Sequence, residues 1–125
     1  MSTAAQVLAV VIAAMLAMVW VMESFLYRHP RLYPLFLTKP ADFDAVRLWT
    51  VNLGFYNLTT ALALVIGVVL LRNGHSSAGA ALIVFTAAQH CFLAVVLVVS
   101  ERRLWLNSLL EGLPAVALLI LSRID

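Results

Sequence analysis

Charge is scarce in this chain. Asp, Glu, Lys and Arg make up 11% of its 125 residues, against about 25% in soluble domains, which excludes an ordinary water-facing surface. The single cysteine, Cys91, cannot form a disulfide within the chain. No Cys/His cluster has the spacing of a zinc site. A metal held by Glu23, His90 and Glu111 would need all three to converge with an amide, so no metal is expected. Neither a nucleophile elbow nor a glycine-rich phosphate loop occurs, and nothing calls for a cofactor. The eight Lys and Arg raise the pI to about 9.1. They form no basic stripe interleaved with stacking aromatics, so no nucleic-acid partner is expected. Their place at the ends of apolar runs suits membrane lipid with anionic headgroups.

Strict alternation of apolar and polar residues is also missing. A membrane barrel requires that period of two, and runs such as Val7–Met22 and Ala61–Leu71 do not show it. Helices are the other structure that can span lipid, because they satisfy their own backbone polar groups.

What is present is hydrophobic. Apolar residues reach 64% and the mean hydropathy is +1.03, which calls for an integral membrane protein. The expected fold is all-α, a single domain of four transmembrane helices with short loops, at about 3–26, 43–71, 78–100 and 104–121. The first run lacks a basic leader and exceeds the 7–15 apolar residues typical of a signal peptide, so it reads as a span. Ala5, Ala9, Ala13 and Ala17 recur in it every fourth residue. That spacing lets another backbone approach closely, although alanine is also simply common in such helices. Pro30 and Pro34 interrupt helix after the first span, while Pro40, Asp42 and Asp44 suit the start of the second. Gly74 suits the stop between the second and third. Pro114 cannot donate to the carbonyl of Leu110, and a kink is expected there.

Basic residues set an expected orientation. Arg28, Arg31, Lys39, Arg47, Arg102 and Arg103 fall on one side, and Arg72 and Arg123 on the other. By the positive-inside rule the richer side is cytoplasmic, and both termini lie outside the cytoplasm. The expected location is the cell membrane, crossed several times.

Against this apolar background the polar residues stand out. Asn52, Tyr56, Thr59 and Ala63 fall on one face of the second helix at 100° per residue, and Gly54, Asn57 and Ala61 on another. The third span carries Thr86, Gln89 and His90 near its middle, and the fourth carries Asn107 and Glu111. The last two lie roughly 6–12 Å from Arg103 at about 1.5 Å per residue. With the expected orientation, these groups gather between mid-depth and the cytoplasmic surface, as a polar cup open to the cytoplasm. Ionisable groups within a membrane cost about 2.5–3.5 kcal/mol each on insertion scales and default to function. Glu111 and His90 are therefore the candidates for proton transfer, should the protein be an enzyme. Glu23, Asn52, Tyr56, Asn57, Gln89, Asn107 and Glu111 are the candidate binding residues. The bland reading of the same residues is interhelical fastening, with Glu111 and His90 satisfying each other. Glu23, at a helix end, is expected to reach headgroup water or pair with Arg28 or Arg47.

Three stretches resemble a family of small integral membrane proteins, DUF1304, whose activity is not established. Asn52-Leu53-Gly54-Phe55-Tyr56-Asn57 is similar to its Asn-x-Gly-x-Tyr-Asn signature, and this is the specific match. Glu23-Ser24-Phe25 and Glu111-Gly112-Leu113-Pro114-Ala115, the latter similar to its Gln-Gly-x-Pro-Ala, add weaker support. The resemblance implies four helices and a shared pocket. Two departures matter: relatives often carry a Glu-His pair near where Met15 and Leu16 stand, and Gln where this chain has Glu111.

Three functions fit these readings. The first is a pocket that binds a small molecule or lipid. The second is a small exporter of amphiphiles, although Glu23 sits at a helix end and the charge bias opposes dual topology. The third is an accessory or structural subunit, as a homo-oligomer or within a larger membrane complex.

Overall fold

A computed structural model describes residues 1–124. Four long helices, α1 (Thr3–Ser24), α2 (Phe43–Arg72), α3 (Ser76–Ser100) and α4 (Trp105–Leu121), account for most of the chain. Short 3₁₀ turns at Tyr33–Phe36, Pro40–Asp42 and Arg102–Leu104 connect them, and no strand occurs among the described residues. Helix ends lie within two residues of the expected ones. α2 is preceded by the 3₁₀ turn at Pro40, and α4 carries Pro114 in its interior without ending there. Each helix is long and apolar enough to cross a membrane, yet only 17–28% of the residues in its most apolar stretch are buried. The uncovered remainder is apolar: Val7, Met18, Leu62, Phe85, Phe92, Val99 and Leu113 are all about half or more exposed. A surface of that kind is stable facing hydrocarbon and not facing water.

The chain divides into two compact units, residues 14–61 and residues 1–13 with the chain from Leu62 onward. In the first unit the end of α1 packs on the start of α2 at Gly54. A Cβ at Gly54 would overlap the Ser24 hydroxyl and come within 3.0 Å of the Trp20 carbonyl oxygen, so only glycine permits this approach. Trp20, Phe25 and Phe55 meet edge to face around the crossing, with centroids 5.6–6.4 Å apart. The loop beyond is ordered by a buried Tyr27. Arg28 lies over the rings of Tyr27 and Phe43 and forms a 2.8 Å ion pair with Asp44.

In the second unit Ala5, Ala9 and Ala13 are buried at 0%, 0% and 4% exposure. The small-residue spacing read from the sequence therefore marks a packed stripe there. α2 and α3 turn tightly at Gly74, which takes a positive φ of 86°. They then cross at Gly67 and Gly79, where an added Cβ would come within 2.7 Å of Ile83 Cγ1 or 2.5 Å of the Gly67 carbonyl oxygen. Arg72 Nε donates to Gln6 Oε1 at 3.2 Å. α3 and α4 are pinned by the Ser108 hydroxyl, which donates to the Ala94 carbonyl at 2.6 Å. Their connection is fixed by Glu101, which accepts from the Arg103 backbone N–H and guanidinium at 2.7–3.0 Å. Those hydrogen bonds from Arg103 hold the Glu101 carboxyl down at about 2.

Candidate functional site

Two polar pairs join neighbouring helices, one in each unit. The first is His90 on α3 with Glu111 on α4. Their Nδ1 and Oε1 atoms lie 2.9 Å apart. The His90 side chain is only 4% exposed and that of Glu111 25%. Counted from the α3–α4 turn at about 1.5 Å per residue, His90 sits about 15 Å in and Glu111 about 12 Å in. Both are thus near the middle of a hydrocarbon core about 30 Å thick, the depth at which an ionisable group is most costly.

The second ring nitrogen makes this pair unusual. His90 Nε2 is fully buried and has no hydrogen-bond partner among the described residues. Which of the two groups donates at Nδ1 depends on the tautomer of the ring, so Nε2 offers either a lone pair or an N–H, unmatched in both cases. A carboxylate that fixes the tautomer and orientation of an imidazole is the arrangement found behind general bases and metal-bound histidines. No group of three or more His, Cys, Asp or Glu comes together among the described residues. The arrangement therefore suits hydrogen bonding and proton transfer. Buried polar atoms are rarely left unpaired, because each costs about 1–3 kcal/mol.

The second pair is Glu23 on α1 with Asn57 on α2. Asn57 Nδ2 donates to Glu23 Oε2 at 2.8 Å, and Glu23 is 7% exposed. Two further bonds flank it: the Thr50 hydroxyl donates to the Glu23 carbonyl at 3.1 Å, and the Ser24 hydroxyl to the Val51 carbonyl at 3.2 Å. With Gly54 between them, these residues clamp α1 to α2. Glu23 was expected at headgroup water or beside Arg28 or Arg47. The residue is 7% exposed, its side chain is turned to Asn57 on α2 rather than to open water, and Arg28 forms an ion pair with Asp44.

The remaining candidates take other positions. Asn52 is exposed and its amide donates back to the Leu48 carbonyl of its own helix at 2.7 Å. Tyr56 is 70% exposed, and its carbonyl accepts from the Thr59 and Thr60 hydroxyls, both at 2.8 Å. Gln89 is exposed on α3 and Asn107 half-buried on α4. The six-residue signature is thus split by helical geometry: Gly54 and Asn57 turn to α1, while Asn52 and Tyr56 turn away. Sequence reasoning passed over Thr50 and Ser108, whose hydroxyls bond to carbonyls of the adjacent helix. A lone Ser or Thr in an apolar run gives no signal of that until the crossing partner is known.

A family model described as "Protein of unknown function (DUF1304)" matches residues 10–122 of the chain. Comparison with curated proteins and with solved structures gave no match.

Proposed function

From the premise that this chain belongs to the DUF1304 family and carries four helices fit to span a membrane, we propose that it binds a small molecule or lipid at the His90–Glu111 pair. In this reading it is a multi-pass protein of the cell membrane with both termini outside the cytoplasm. In this reading a ligand meets the pair on the Glu111 side, where the side chain is 25% exposed against 4% for His90. One observation carries the proposal: a buried imidazole, oriented through Nδ1 by a carboxylate at 2.9 Å, has no partner at Nε2. A fastener between helices needs only the first of these features. A ligand with a hydroxyl or amide group that reached the ring would satisfy the second, by donating to Nε2 or accepting from it.

The test is the set of molecules that remain bound after gentle purification, read by mass spectrometry for the wild type, Glu111→Gln and His90→Leu. Helix content by circular dichroism checks that each variant is folded. A bound species in the wild type that His90→Leu loses supports the proposal. The same species in equal amounts in all three proteins overturns it. A larger protein co-purifying in fixed ratio, without any small molecule, favours the accessory-subunit reading. Uptake of amphiphiles into wild-type vesicles, lost in Glu111→Gln, favours the exporter.

A further inference from the structure

Between α3 and α4 runs a groove of about 290 Å³, lined by Cys91, Ala94, Val98, Leu109, Gly112 and Val116 among others. Neither His90 nor Glu111 lines it, so it is a different feature from the polar pair and does not depend on it. The groove exists because small residues face each other at its centre. A Cβ on Gly112 would sit 3.0 Å from that of Ala94. Its lining is almost wholly apolar, and the Ser108 hydroxyl is already spent on the Ala94 carbonyl. It extends from Val98, one turn before the α3–α4 connection, to Cys91, about 10 Å further along α3. At the connection, Arg103 is paired with Glu101 at 2.7 Å. Arg102 is exposed and has no ion-pair partner among the described residues. Trp105, which opens α4, is 57% exposed, as suits an aromatic side chain at headgroup level.

We propose that this groove holds one acyl chain of an anionic phospholipid, with the lipid phosphate on Arg102. An open apolar cleft in a membrane-spanning segment takes hydrocarbon. Arg102, four residues beyond Val98 in the connection that follows α3, is the cation at that end of the helices and would select a negatively charged head over a zwitterionic one. Arg102 is the group left for that role, because Arg103 is neutralised by Glu101. The selection amounts to about fivefold, the preference that one basic residue near the bilayer surface confers.

The experiment uses the full chain in vesicles of equal parts phosphatidylglycerol and phosphatidylcholine, released into native mass spectrometry. Wild-type protein is expected to retain phosphatidylglycerol about fivefold over phosphatidylcholine. Arg102→Gln should bring that ratio to one, whereas Arg123→Gln should leave it unchanged. Val95→Trp fills the groove from a position already 59% exposed, and should remove the retained lipid of both kinds. Val95→Ala, which keeps the groove open, should behave as wild type and show that position 95 tolerates change. Equal retention of the two lipids by the wild type overturns the proposal. So does an equal effect of Arg102→Gln and Arg123→Gln, or full retention by Val95→Trp. A protein bound at the groove in a ratio indifferent to Arg102 also overturns it.

Discussion

Each unit of the molecule holds one carboxylate within a span, bonded to the neighbouring helix, yet the two sites are built differently. Glu23 accepts from Asn57 at 2.8 Å. Around that bond lie two hydroxyl-to-carbonyl bonds and a glycine against which no other side chain would fit. Glu111 meets His90 at 2.9 Å, and the far nitrogen of the ring is left buried and unmatched. Similar distances thus separate into a clamp and a site with bonding capacity to spare. Both units leave a buried polar atom unmatched, Trp20 Nε1 beside the clamp and His90 Nε2 in the second pair, and what sets the second apart is that the unmatched atom belongs to the ionisable pair itself.

The comparison breaks most visibly at Gly54. Gly54→Leu should force α1 and α2 apart, at a cost of about 1–3 kcal/mol or more for overpacking. An unfolding titration in mixed detergent would show it as a large drop in midpoint. A wild-type midpoint would mean that the clamp is not close-packed. Asn57→Ala removes one bond of the clamp and leaves a buried carboxylate short of a donor. The loss should be smaller, about 1 kcal/mol, within the range measured for hydrogen bonds between membrane helices. Glu111→Gln keeps the shape and an acceptor oxygen for the ring, so its midpoint should move by about 0.6 kcal/mol or less, whereas His90→Leu should lose the bound material. A Glu111→Gln midpoint that fell as far as that of Asn57→Ala would make both pairs fasteners.

The smallest effect lies outside both pairs. Hydrogen bonds from Arg103 hold the Glu101 carboxyl at about 2, below its ordinary 4.5. A carboxyl depressed by folding contributes stability above its unfolded value, and that contribution is lost as pH falls from about 4.5 toward about 2. Glu101→Gln should therefore differ slightly from wild type at neutral pH and converge with it near pH 2. A gap of constant size across that window would show that the connection owes nothing to the Glu101 charge. The Glu101 side chain is 34% exposed and lies in a short connection, so this effect is small and confined to the turn.

Much of this was legible in the residues. Four apolar runs gave four helices because lipid leaves a backbone few alternatives. The division of the signature into a Gly54–Asn57 side and an Asn52–Tyr56 side followed from 100° per residue. His90 and Glu111 were paired in the reading because both are ionisable and near mid-depth. The bond from Asn57 to Glu23 was not legible: position along a helix gives depth, but which neighbour a face meets is settled by close approach, here at Gly54. The spare nitrogen of His90 and the groove beside Ala94 and Gly112 were beyond sequence reasoning, since both depend on which atoms lie across from them.

The most direct measurement is the amount of small molecule released from gently purified wild type, His90→Leu and Asn57→Ala, at a temperature where all three are folded. His90→Leu is expected to release none and Asn57→Ala the wild-type amount. Retention by His90→Leu, with loss from Asn57→Ala, would contradict the account.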